Sequence, residues 1–102
     1  MADMVSLVAY VTARPGKEAE TKAMLLSLVA PTREEPGCID YHLLESEEDP
    51  CAFVFYENWH TRKDLDEHLA KPHLQAFIER QDELLAKAVV IDFYTMLSAR
   101  DG

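Results

Sequence analysis

The hydrophobic pattern changes period several times along the chain, and each change predicts an element. Val5-Ser-Leu-Val-Ala-Tyr-Val-Thr12 is dense in β-branched and aromatic residues and predicts a strand, which Arg14-Pro15-Gly16 ends. From Lys17 to about Ala30 the spacing turns helical. Ala19, Ala23, Leu26 and Ala30 recur every three or four residues, and Leu25, Leu28 and Val29 widen the stripe enough to predict burial on more than one side. Pro31 and Glu35-Pro36-Gly37 close this helix and open a second strand over Cys38 to Ser46, where Ile39, Tyr41 and Leu43 alternate with Asp40 and His42.

A charged turn, Glu47-Glu-Asp-Pro50, leads into Ala52-Phe-Val-Phe-Tyr-Glu-Asn-Trp59, apolar enough for a strand covered on both faces. Two-residue periodicity places Phe53, Phe55, Glu57 and Trp59 on one face, and Val54, Tyr56 and Asn58 on the other. Thr61-Arg-Lys-Asp64 is an N-cap signature for a helix to about Ala70 that presents Leu65, His68 and Leu69 on one side. Pro72 suits the first turn of a further helix, along which Leu74, Phe77, Ile78, Gln81, Leu84 and Leu85 trace one stripe. Val89 to about Leu97 reads as the last strand.

The order is β-α-β-β-α-β, which predicts an α+β, ferredoxin-like antiparallel sheet with helices on one face. The other face is left with Val, Tyr and Phe residues and no segment to cover them, so a second copy of the chain is the simplest cover. A length of 102 residues fits a single domain, with its core over about 4–98.

Charge narrows the partners. The formal net charge is −9, and no basic stripe or RNP-like motif appears, which argues against nucleic acid and against anionic membranes. No apolar run is long enough to span a bilayer, and Met1-Ala2-Asp3-Met4 lacks the basic start of a signal peptide, so a cytoplasmic location is expected. In the predicted hairpin Cys38 and Cys51 sit at opposite ends, roughly 25 Å apart at the usual strand rise, beyond disulfide reach. There is no CxxC, no GxGxxG, no P-loop and no calcium-loop spacing. His68 and His73 lie five apart across a proline, not at the i,i+4 spacing of a helical metal pair, so no metal is expected.

Several segments together are similar to the antibiotic biosynthesis monooxygenase family. They are Pro15-Gly16, Glu35-Pro36-Gly37-Cys38, Tyr41, Tyr56-Glu57-Asn58-Trp59, His68 and Pro72-His73 with Phe77. The resemblance runs from about Val5 to Tyr94, and it implies a protomer that dimerises through its sheets into an α/β barrel. It also implies a pocket between each sheet and its helices. The family includes cofactor-independent quinol and polyketide-phenol oxygenases, heme-degrading enzymes and isomerases of small phosphorylated signalling sugars.

The residues themselves allow more than one role. Trp59 serves as a wall for an aromatic ligand or as a large core residue, and Tyr41 as core or pocket wall. His68 is the candidate base for a phenolic proton, with a structural histidine as the alternative. His73 caps, donates to a ligand or is solvated. Glu57 shares the Trp59 face, where a charge needs a partner or a raised pKa, and a structural anchor is preferred to catalysis. Phe55 and Phe77 complete an apolar pocket, whereas His42 and His60 read as surface residues. The leading expectation is oxidation of an electron-rich aromatic by O2 without a cofactor. Heme is disfavoured, because that branch expects an asparagine on the first strand and the only Asn here is Asn58. Sugar isomerisation by His68 and His73, or a non-catalytic dimeric ligand-binding module, are the alternatives.

Overall fold

The computed structural model describes residues 4–98. Its elements are β1 (Val5–Thr12), α1 (Glu18–Ser27), α2 (Val29–Arg33), β2 (Cys38–Glu45), β3 (Ala52–Trp59), α3 (Arg62–Leu69), α4 (Pro72–Glu79), α5 (Gln81–Leu84) and β4 (Val90–Tyr94). The strands pair antiparallel in the order β2-β3-β1-β4, the ferredoxin-like arrangement. Leu7, Ala9, Val11, Phe53 and Phe55 form the inner face of the sheet and share one core with Leu25, Leu28, Leu65, Leu74 and Phe77 from the helical layer.

Local chemistry explains the element ends. Gly16 takes φ +90° in the turn after β1, a conformation that L side chains rarely adopt. Thr61 is the N-cap of α3, accepting from the Asp64 backbone N–H, and Pro72 occupies the first turn of α4, where its missing N–H costs nothing. Gly37 has a different reason: a Cβ there would stand 2.2 Å from Asp64 Cγ. The loop before β2 therefore lies directly against the start of α3, and His60 N–H donates to Gly37 O at 2.9 Å.

The structure corrects the sequence expectations in five places. The stripe Ala19, Ala23, Leu26 and Ala30 is exposed, while Thr21, Leu25 and Leu28 face the core. The first helical segment is thus buried on one side only. Thr21 looks polar in the sequence, yet it is fully buried and donates its hydroxyl to Leu84 O. Pro31 does not end the helical region. The chain breaks at Leu28 and restarts as α2, and Pro31 falls in the first turn of that new helix, where no intrahelical N–H is lost.

A similar break at Arg80 divides the predicted long helix into α4 and α5; Leu69 at the end of α3 and Ile78 on α4 are exposed at the edges of their stripes. The last strand ends at Tyr94, not Leu97, because β1 offers it only five partners, Ser6 to Tyr10. Finally, the open face of the sheet carries Val8, Tyr10, Val54, Tyr56, Val90 and Tyr94 but no phenylalanine. Phe53 and Phe55 point inward, and Phe93 pairs with Leu7 on the inner side. Both cysteines are free thiols, Cys38 opposite Trp59 at one end of the β2–β3 ladder and Cys51 at the other.

Candidate active site

A cavity of about 120 Å³ lies between the inner face of the sheet and helices α3 and α4. An apolar cavity of roughly 150 Å³ accepts one benzene ring, so this one is on the scale of a single aromatic ring. Its walls are hydrocarbon and aromatic, from Leu7 and Ala9 of β1 through Tyr41 of β2 and Phe55 of β3 to Leu65 and Phe77 of the helices. Glu57 and His68 are the ionisable side chains with ordinary pKa values near or below neutrality that line it.

His68 is brought to the cavity by the α3 stripe and is 2% exposed. Its Nδ1 stands 2.9 Å from Glu35 Oε2, and His73 Nε2 reaches the same oxygen at 2.9 Å. A carboxylate only accepts, so both rings donate N–H to it, and His68 is left with Nε2 as its acceptor. Burial lowers the His68 imidazole below its ordinary value, against the pull of Glu35 in the other direction. The ring is therefore neutral at pH 7, with its tautomer set by Glu35 and its lone pair available on the other nitrogen. Trp59 packs at 4.5 Å between ring centroids and Tyr41 at 5.6 Å, so the imidazole plane is also held by packing.

Glu57 is the second polar group of the cavity. Its Oε1 accepts the Trp59 indole N–H at 2.9 Å. Burial, opposed by that bond and reinforced by the charge of Glu35, pushes its pKa up to about 7. Burial also drives the Tyr41 phenol far above its ordinary value, which leaves it a neutral wall.

The fold gathers Tyr41, Phe55, Glu57, His68 and Phe77 around one cavity. Trp59 stands behind them: it is fully buried, holds Glu57 by its N–H and His68 by its ring, and is not among the residues lining the space. His73 is also set back, touching Glu35 and not the cavity. Asn58 points to the opposite face, as two-residue parity requires, and His42 and His60 are exposed.

Glu35 is the residue that sequence reasoning missed. It sits in a breaker segment and meets His68 and His73 only through the approach of the Gly37 loop to α3. The available signal was a carboxylate next to Pro36-Gly37, which becomes meaningful only once that loop is known to be buried. Glu35, His68 and His73 are also the group of three among the described residues that could hold a metal ion, with donor atoms within 4.8 Å of one another. The spacing argument against metal applies to the two histidines alone, and the fold adds a third donor.

These features define a ferredoxin-like domain with a buried histidine–carboxylate site facing an apolar cavity. The chain belongs to the antibiotic biosynthesis monooxygenase family, whose model matches residues 4–80. Among its relatives, Rv0793 of Mycobacterium tuberculosis, named as a candidate monooxygenase, is 34% identical over 91 residues, 89% of each chain. The uncharacterized protein sll1783 of Synechocystis is 35% identical over 92 residues; the match takes in 90% of this chain but 63% of that protein's length. The crystal structure of PA3566 from Pseudomonas aeruginosa superposes with a TM-score of 0.91 at 33% identity, over 96% of this chain and 98% of that one. Among the described residues no helix is long and apolar enough to cross a membrane.

Proposed function

We propose that the protein is a cofactor-independent monooxygenase that oxidises an electron-rich aromatic, a quinol or a phenol, with O2. The observation that carries this reading is the pairing of His68 with Glu35 behind an apolar, ring-sized cavity. His68 Nε2 takes the phenolic proton, and Glu35 stabilises the imidazolium formed. The resulting phenolate passes one electron to O2, and the two radicals combine to form a carbon–oxygen bond. The peroxide takes the proton back from His68. Loss of a ring hydrogen with cleavage of the O–O bond then releases water and leaves a new carbonyl. For a hydroquinone the sum is quinol plus O2 giving hydroxyquinone plus water, so the substrate supplies all four electrons and no external reductant enters. The hydrocarbon walls exclude bulk water from the anion and radicals.

His73 acts through Glu35 as a positioning residue, and Trp59 through both Glu57 and His68. The family membership and the names of relatives such as Rv0793 support oxygenation as the reaction class. The same reading includes a homodimer in which a second copy covers Val8, Tyr10, Val54, Tyr56, Val90 and Tyr94 on the open face. Oxygen-electrode assays with a panel of substituted hydroquinones test the activity, with O2 uptake and a hydroxyquinone product as the expected result. Absence of uptake with every quinol removes the oxygenase reading.

A further inference from the structure

Glu57 uses one of its two carboxyl oxygens on the protein and leaves the other unused. Oε1 holds the Trp59 N–H, while Oε2 has no hydrogen-bond partner among the described residues. Oε2 is also absent from the sealed, unpartnered polar atoms, of which Thr32 Oγ1 is the example. A residue 5% exposed with an unpartnered oxygen that is not sealed has its remaining surface on the cavity it lines. A half-satisfied carboxyl among hydrocarbon walls is costly unless a ligand completes it.

We propose that Glu57 is a proton-adaptive ligand anchor, accepting from a ligand hydroxyl when ionised and donating to a ligand carbonyl when protonated. The inference rests on the proposed oxygenation, in which a ring hydroxyl becomes a carbonyl in the same cavity. One fixed donor or one fixed acceptor would fit substrate or product but not both. A carboxyl that ionises near neutrality fits each in turn, and its pKa of about 7 places both forms within reach. The indole N–H on Oε1 fixes the carboxyl orientation in both states.

The groups around Glu57 are apolar or neutral apart from Glu35 and His68. β1 sets Leu7 opposite it, and α4 contributes Leu74 and Phe77, all apolar. β2 brings Tyr41 and Cys38, whose thiol is pushed up to about 11, so both stay neutral. Glu35 acts on Glu57 through its charge, and His68 of α3 titrates below its ordinary value.

Trp59 supplies the readout, because it is the single tryptophan and its indole N–H sits on Glu57. In ¹⁵N-labelled protein its side-chain resonance reports both ionisation and ligand occupancy. The probes are m-cresol, a hydroxyl donor, and acetophenone, a carbonyl acceptor; both are single rings that O2 leaves unchanged. Titrations at pH 6 and pH 8 bracket the ionisation at about 7.

The expected result is that m-cresol binds about fivefold or more tightly at pH 8 than at pH 6, and acetophenone the reverse. Glu57→Gln keeps the indole partner and should bind both probes with less than about a twofold pH effect. Four results overturn the proposal: both probes responding to pH in the same direction, opposite trends surviving in Glu57→Gln, opposite trends lost in His68→Gln, or neither probe binding. The His68→Gln titration removes the other ionisable acid–base group of the cavity, so it decides the matter even where Glu57→Gln folds poorly. Opposite pH trends without O2 uptake from any quinol would retain the anchor and discard the oxygenase reading.

Discussion

Glu57 and Asn58 are neighbours on β3, both buried and both polar, yet they face opposite sides of the sheet. On the open side Asn58 is fully satisfied by its own chain: it accepts from the Ser6 hydroxyl and donates to Asp40 Oδ2 and Tyr56 Oη, each at 2.9 Å. On the helix side Glu57 has one bond, to Trp59, and an oxygen left over. Burial alone therefore does not separate polar groups that the chain satisfies from those it leaves open. Accessible, unfilled hydrogen-bonding capacity lies on the cavity side, at Glu57 Oε2 and His68 Nε2, whereas Thr32 Oγ1 is unpartnered but sealed.

The largest effect should come from removing the cavity-side acceptor. His68→Ala is expected to lower turnover on a responsive quinol by roughly 10²–10⁴-fold while leaving dimerisation intact. Turnover equal to wild type would remove His68 as the base and collapse the contrast between the two faces.

Next in size is a stability difference that depends on pH. The Glu57 carboxyl has a higher pKa folded than unfolded, so between about 4.5 and 7 the native state holds more protons and stability falls as pH rises. The penalty is on the order of 3 kcal/mol and complete above that range. His68 has the opposite sign: its lowered pKa makes the native state bind fewer protons, so its contribution is lost as pH falls through its ordinary value of 6.5. Urea unfolding of wild type and Glu57→Gln across pH 4 to 8 isolates the carboxyl, since His68 is common to both. A difference that does not grow toward alkaline pH would mean that Glu57 is not a buried, half-satisfied acid.

The open side predicts stability loss without loss of chemistry. Asn58→Leu removes the hydrogen bonds that tie Ser6, Tyr56 and Asp40 to this strand and should cost about 2 kcal/mol by denaturant titration, with turnover per folded molecule unchanged. A turnover loss comparable to that of His68→Ala would show the two faces to be coupled. Smallest is the surface of that face: Tyr10→Ser, at a position 40% exposed, should weaken self-association about tenfold in sedimentation equilibrium. An unchanged monomer–dimer equilibrium would move the interface elsewhere.

The sheet was largely legible in the sequence. β3 has the bounds its composition predicts, and its parity separates Phe53, Phe55, Glu57 and Trp59 from Asn58. Two-residue periodicity is stiff, and a one-residue error would expose the whole apolar set. The helices were less legible. Alanines on α1 mimic an apolar stripe, while Thr21 and Thr32, which face the core, look polar. In the site, His68, Glu57, Tyr41, Phe55 and Phe77 could be named from residue type and position, but Glu35 could not. Its contacts lie 33 and 38 residues away, and local pattern carries no information at that range.

β4 has a consequence for handling and for evolution alike. It is an edge strand whose five residues are all exposed, with Val90, Ile91, Phe93 and Tyr94 presenting apolar surface around the single charge of Asp92. A free, apolar edge is a template for uncontrolled strand addition. In a dilute monomer the main restraint on that addition is mutual repulsion from the net charge of −9, which vanishes near the isoelectric point of 4.7. Acidification should therefore drive the chain toward fibrillar or amorphous association before it unfolds.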